Sequence, residues 1–399
     1  MRLLSLLLCL FILSPDLTSA EENKQKTISP WLYKKLLKTE QLISKQSYQK
    51  AAQKLNALLS NVDDNSYEQA TVLRSLSSVY ALNNQYKKAT KALSKAISLN
   101  VLSKNQEQQA LLNLGQLYMA MEQFSKAIKT LEPWLAKNPN PDAKLNALLS
   151  NAYTQLKQYR KALPFIKKAI ASSKQPDESW YQLNLALYYE LENYRSAATI
   201  LKTLIRLYPD KKPYWQQLSS IYLQLKQYKK AVSIKHLAYK KGFLNKEKEI
   251  IELANLFLYI RSPYKAATLI QQELAEKRLK SNSKNWQLLA QAWSMAREFD
   301  GAIKALETAS KLNDKGSLYQ QLGQNYLEQE KWKQAIASFN KAISKGGLKN
   351  TGSTYLLLGM SYYELGKTQY AKKSFFKAMQ YSKNKKVAKQ WLDYIKKAP

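Results

Sequence analysis

The chain predicts an all-α protein, a right-handed superhelical solenoid of stacked helix-turn-helix hairpins, and three observations lead there. Glycine and proline are scarce, ten and eleven in 399 residues, which leaves little of the turn punctuation that sheets of short strands require. Apolar residues recur at i, i+3, i+4 and i+7, the spacing of an amphipathic helix. A small residue followed twelve positions later by alanine returns along most of the length, so one helical pair is being repeated. A chain of 399 residues exceeds what one compact core serves. A repeat array meets that limit by burying surface between neighbours.

In chain order, Met1 and Arg2 give a positive start, Leu3 to Leu13 an apolar run, and Pro15-Asp16 a break. Thr18-Ser19-Ala20 then offers small residues before Glu21. This is the layout of a secretory signal peptide over residues 1–20, with cleavage expected after Ala20. The run is short for a permanent membrane span. Cys9 is the single cysteine, and Leu8 stands where a lipoprotein acceptor needs a small residue. Removal of the segment takes the only thiol with it, and with it any disulfide, Cys-bound zinc or thiol nucleophile. Residues 21–29 form a polar lead.

The repeat itself begins at Pro30. Leu76-Ser77, Leu114-Gly115, Leu149-Ser150, Leu218-Ser219, Leu289-Ala290, Leu322-Gly323 and Leu358-Gly359 each precede a tyrosine or tryptophan by three positions from the small residue. Alanine follows at Ala89, Ala127, Ala162, Ala231, Ala302, Ala335 and Ala371, with Ala51, Ala197 and Ala266 completing the series. Successive alanines lie 33 to 38 residues apart, the tetratricopeptide period. The residue types follow from packing. A small side chain on the first helix and alanine on the second admit a close antiparallel approach, and aromatics such as Trp215, Tyr222, Trp286 and Trp293 fill the wedge beside it. A further small residue seven positions on (Ala96, Ala169, Ala309, Ala342, Ala378) admits the next hairpin. Pro139 and Pro209 are expected just past a second helix. About ten repeats span residues 30–382. Within the closing segment 383–399, a helix over Val387–Lys397 with Trp391 and Ile395 is expected to cap the open end.

The stretch Tyr188 to Ile270, with YYELENYRSAATILKTLIRLYPDKKPYWQQLSSIYLQLKQYKKAVSIKHLAYKKGF at its start, resembles the periplasmic tetratricopeptide-repeat proteins associated with TonB energy-transduction systems. The similarity extends from about residue 30 to the C-terminus, including Trp391. It implies an exported accessory protein that works beside the inner-membrane proton-driven motor, in support of outer-membrane transporters, and it implies components of that complex as partners. The lysine excess is not part of the shared pattern.

Candidate chemistry is sparse. His236 is the only histidine, so it lacks the partners that a metal site or a general base requires; a packed helix histidine is the expectation. Gly366-Lys367-Thr368 resembles the end of a phosphate-binding loop, but Ser361 stands where that loop needs glycine. A turn glycine between two helices is expected instead. Glu190, Glu192, Glu328 and Glu330 lie toward the turns without local pairing. No catalytic residue, metal ligand or cofactor is assigned, and no enzyme is expected.

Binding residues are expected on the first helix of each repeat, which lines the hollow of such a stack. The position after the small residue holds Ser78, Gln116, Asn151, Ala186, Ser220, Asn255, Gln291, Gln324 and Met360. One turn earlier come Gln182, Gln216, Gln287 and Gln320. Carboxamides offer donor and acceptor together, the pair that grips an extended peptide backbone. Glutamine is also a good helix former on a solvated face, and the sequence leaves both explanations open.

The net charge is +34, from 63 Lys and Arg against 29 Asp and Glu. Lysine predominates, and reading of bases leans on the arginine fork, so no nucleic-acid partner is expected and no small-molecule substrate either. Lys87-Lys88, Arg160-Lys161 and Lys229-Lys230 precede the packing alanine, and Lys372-Lys373 adjoins it. They form either a solvated rim or a surface for an anionic membrane or acidic partner. The expected function is a periplasmic, non-enzymatic scaffold for protein partners of a TonB-dependent transport system. The alternative is a scaffold of an envelope polysaccharide export or cell-wall assembly complex.

Overall fold

A computed structural model describes residues 27–137 and 142–397; the signal segment, Cys9, most of the polar lead and Pro139 lie outside the described residues. Among the described residues there are twenty-one α-helices and no strand. They fall into two compact units divided between Leu204 and Ile205, within the last turn of one helix.

The first unit contains α1 (Pro30–Ser44), α2 (Tyr48–Leu59), α3 (Tyr67–Leu82), α4 (Tyr86–Ser98), α5 (Lys104–Ala120), α6 (Phe124–Lys137), α7 (Ala143–Gln155), α8 (Tyr159–Ser172), α9 (Glu178–Glu190) and most of α10 (Tyr194–Leu207). The second contains α11 (Lys212–Gln224), α12 (Tyr228–Lys240), α13 (Glu247–Tyr259), α14 (Pro263–Ala275), α15 (Ser283–Met295), α16 (Phe299–Leu312), α17 (Gly316–Glu328), α18 (Trp332–Lys345), α19 (Thr351–Glu364), α20 (Thr368–Met379) and α21 (Lys385–Lys397). Odd-numbered helices up to α19 are the first, and even-numbered helices the second, of successive hairpins.

Each hairpin turn is closed by one left-handed residue, at φ between 54° and 74°. The positions are Gln46, Asn84, Glu122, Lys157 and Glu192 in the first unit, and Lys226, Arg261, Arg297, Glu330 and Gly366 in the second. The next residue's N–H returns to a carbonyl five positions back, as from Gln85 to Tyr80 (2.8 Å) and from Gln227 to Tyr222 (2.8 Å). This is the Schellman closure of a helix end. Gly366 is therefore the glycine version of a turn built nine other times from residues with side chains, as expected for the Gly366-Lys367-Thr368 segment.

The packing alanines are fully buried: Ala51, Ala89, Ala127, Ala162 and Ala197 in one unit, and Ala231, Ala266, Ala302, Ala335 and Ala371 in the other. Their small partners on the first helices face a bulky residue of the same hairpin. A Cβ on Gly115 would lie 2.5 Å from Leu131; on Gly323, 2.5 Å from the Phe339 ring; on Gly359, 2.6 Å from the Phe375 ring. At two of the serine seats the hydroxyl is used as well. Ser150 donates to the Ala162 carbonyl (3.0 Å) and Ser219 to that of Ala231 (3.1 Å).

The core of each unit runs along the stack. In the second unit, one cluster continues from Trp215 through Ile250, Phe257 and Leu289 to Ala342. Pro209 lies exposed two residues beyond α10. Helix α21 starts two residues before Val387 and lays Trp391 flat on Phe375 (5.4 Å between centroids), with Ala388 and Ile395 buried. It covers apolar surface of α20.

Candidate functional site

The first helices present the residues that sequence singled out for binding. In the first unit, Gln116 on α5 and Asn151 on α7 are half-buried, while Gln182 on α9 is exposed. Asn151 accepts from the Gln155 carboxamide (3.4 Å), and Gln182 donates to Glu178 (3.3 Å). In the second unit, Gln216 on α11, Asn255 on α13, Gln291 on α15 and Gln324 on α17 are exposed; Gln287 and Gln320, one turn earlier on their helices, are half-buried. Gln216 donates to Glu249 (3.2 Å). The side chains of Asn255, Gln287, Gln291, Gln320 and Gln324 make no hydrogen bond to a described residue. Their donors and acceptors are free for another molecule.

Side chains hold the N-terminal halves of neighbouring first helices together. In the first unit Gln106 of α5 donates to the Tyr67 hydroxyl of α3 (2.6 Å). In the second, Glu249 of α13 takes Lys212 (2.8 Å) as well as Gln216 of α11, and Asn285 of α15 donates to Glu247 of α13 (2.7 Å). Burial alone would raise the Glu249 pKa; hydrogen bonds from Lys212 and from backbone N–H groups at Lys246 and Asn245 outweigh it and hold the carboxyl below its ordinary value.

Apolar side chains stand beside this polar face. Tyr189 of α9 is exposed in the first unit, and Tyr259 of α13 and Met295 of α15 in the second. Tyr259 meets Tyr228 edge-on at 4.7 Å, at the wall of a shallow notch lined by Lys226, Lys229, Lys230 and Arg261.

Two periodic contacts escaped the sequence reading. The tyrosine three positions after the small residue reaches back to the preceding hairpin's second helix. Tyr80 accepts from Asn56 (3.0 Å) and Tyr153 donates to Glu132 (2.7 Å) in the first unit; Tyr326 donates to Glu307 (3.1 Å) and Tyr362 accepts from Asn340 (3.3 Å) in the second. Each partner lies five positions after its packing alanine, a spacing that was available in the sequence. Burial, then the bond to Glu132, pushes the Tyr153 hydroxyl pKa well up. The second contact sets a lysine cation against an aromatic ring. Lys88, Lys126 and Lys161 lie 5.6, 5.7 and 5.9 Å from the ring centroids of Tyr80, Tyr118 and Tyr153, and Lys230 lies 5.7 Å from that of Tyr222. In these four hairpins the rim lysine before the packing alanine is thus seated on its own hairpin's tyrosine.

His236 occupies the register of Asn56 and Glu132, and the residue facing it is Phe257, met edge-on at 5.3 Å. Burial, then Lys240 and Lys265, lower its pKa. It packs as sequence expected. Among the described residues no three His, Cys, Asp or Glu side chains converge as a metal site would need, and no helix is long and apolar enough to cross a membrane.

Tetratricopeptide-repeat family models match residues 80–152, 143–176, 181–211, 213–234 and 316–344. Similar solved structures include a tetratricopeptide repeat protein from Parabacteroides merdae ATCC 43184, at 16% identity over 66% of this chain and 99% of that one (TM-score 0.41). MamA from Desulfovibrio magneticus RS-1 is 17% identical over 46% of this chain and 99% of its own (TM-score 0.40). YrrB, described as a tetratricopeptide protein with an unusual peptide-binding site, is 13% identical over 49% and 100% (TM-score 0.38). No curated protein matches the sequence.

Proposed function

We propose that this chain, an array of tetratricopeptide repeats, is a non-catalytic scaffold that holds an extended segment of another protein against its first helices. The observation that carries this reading is the set Asn255, Gln291 and Gln324. They are exposed carboxamides at one repeat position on α13, α15 and α17, whose side chains make no hydrogen bond to a described residue. An extended backbone offers alternating N–H and C=O groups, and carboxamides supply both complements. The layout of residues 1–20 supports export to the periplasm. The resemblance of Tyr188 to Ile270 supports service to a TonB-dependent transport complex.

The test is to replace Asn255, Gln291 and Gln324 together with alanine and measure binding to the partner trapped by crosslinking in cells. Loss of about tenfold or more is expected, since each unmade hydrogen bond is worth about 0.5–1.5 kcal/mol. Unchanged binding sinks the reading. Fractionation that finds the protein unprocessed in the cytoplasm removes the periplasmic assignment.

A second reading draws on Tyr259. Its exposed ring, paired with Tyr228 beside Lys230 and Arg261, suits stacking on the sugars of an acidic envelope polymer. Tyr259→Ala separates the two: it abolishes polymer binding, and leaves peptide binding nearly intact.

A further inference from the structure

The net charge of +34 is distributed by helix. In the ten hairpins formed by α1 to α20, the first helices carry nine Lys or Arg and ten Asp or Glu; the second helices carry twenty-nine and four. The first unit shows this most sharply. There α2, α4, α6, α8 and α10 up to Leu204 hold fifteen cations against one carboxylate, Glu132. Helices α4 and α8 have no acid at all. Lys88, Lys91 and Lys95 share one side of α4, and Arg160, Lys161, Lys167 and Lys168 one side of α8; all are exposed. None forms an ion pair with a described residue. Like charges three and four residues apart, as in Lys88, Lys91 and Lys95 of α4, cost helix stability, so the α4 cluster is not explained by the hairpin's own packing.

The same face lacks the features that two other anionic partners require. A protein interface centres on a few buried aromatic or aliphatic anchors, yet among the described residues of this unit the exposed large apolar side chains, Trp31, Tyr33, Leu37 and Tyr189, all belong to α1 and α9. Nucleic acid is held by arginine forks and stacking rings. Here most cations are lysine, and the tyrosines nearest them, Tyr80, Tyr118 and Tyr153, are only half-exposed or buried. A dense sheet of unpaired lysines without anchors matches one anionic partner of the chain, a layer of acidic lipid head groups, where each lysine near the surface adds its own attraction.

We propose that the second helices of the first unit, α4 and α8 above all, adsorb this protein to anionic bilayer surfaces. This does not rest on peptide binding by the first helices, which would remain free of the bilayer. The probe is vesicles of phosphatidylcholine alone or mixed with phosphatidylglycerol, sedimented with the protein in the processed form its own cells produce. Adsorption is expected to the mixed vesicles only, and to be lost between low and about 0.5 M salt. K91Q/K95Q/K167Q/K168Q is expected to weaken it more than tenfold, with K91Q/K95Q and K167Q/K168Q each intermediate. K34Q/K38Q/K104Q/K144Q removes equal charge from the first helices of the same unit and is expected to weaken it less than threefold. Equal loss in the two fourfold variants overturns the proposal, as does equal binding to the neutral vesicles. Binding to soluble polyglutamate that is tighter and more salt-resistant than to mixed vesicles overturns it in favour of an acidic polymer.

Discussion

Gly323 and Gly359 lack side chains because the rings of Phe339 and Phe375 fill that space. Gly323→Ala and Gly359→Ala are each expected to destabilise the second unit by about 1–3 kcal/mol in urea unfolding, since the ring must leave its rotamer. His236 gives a pH signature. Its folded-state pKa lies below the ordinary value of 6.5, so the unfolded chain binds its proton first as pH falls. Stability is full above about pH 6.5 and declines as pH drops through that value toward the folded pKa. His236→Asn is expected to remove this part of the slope. An unchanged slope in that variant contradicts the assignment. The small residues and alanines were legible because each pair lies within one hairpin at fixed spacing. The bonds of Tyr80 to Asn56 and Tyr153 to Glu132 were not, because they join different hairpins and the partner varies among asparagine, glutamate and histidine.

At the scale of the element, the turns carry strain that the sequence hid. Arg297 is left-handed at φ 62°, a conformation costing an L-residue about 1–2 kcal/mol that glycine avoids. Arg297→Gly is expected to raise stability by up to about 1 kcal/mol, and Arg297→Val to lower it by at least as much; the urea midpoints decide. Turn positions were legible as places, but their handedness was not, since only Gly366 announces it. The end of α14 has a different device. Glu273 is fully buried and accepts from the Tyr239 hydroxyl and from Arg278, which also pairs with Glu276. Burial, then the Glu273 bond, pushes the Tyr239 pKa up to about 12. Burial alone would raise the Glu273 pKa, but Arg278 and Tyr239 hold it below the usual carboxylate range. Arg278→Ala leaves that carboxylate without its cation and is expected to cost about 2–3 kcal/mol by denaturant titration, allowing for Arg278's partial exposure. Nothing in the local pattern marked Glu273, because its partners come from the neighbouring hairpin and the following loop.

Across the whole molecule, hairpins interact with their neighbours, so a change in one unit is local in its effect. Repetition made the architecture readable from one sequence: each packing solution recurs, and errors at one copy are corrected by the next. The binding residues were readable only as a series of positions. Their freedom from internal bonds, which separates Asn255, Gln291 and Gln324 from Gln216 and Gln182, depends on neighbours that no spacing reveals. Charge divides along the same lines, with carboxamides on first helices and lysines on second ones. The most direct measurement is photo-crosslinking in cells from Asn255, Gln291 and Gln324 on first helices, and from Lys235, Lys304 and Lys341 on second helices of the same unit. The account predicts that one protein partner is trapped from the first set and not from the second. Trapping from the second set alone, or equally from both, contradicts it.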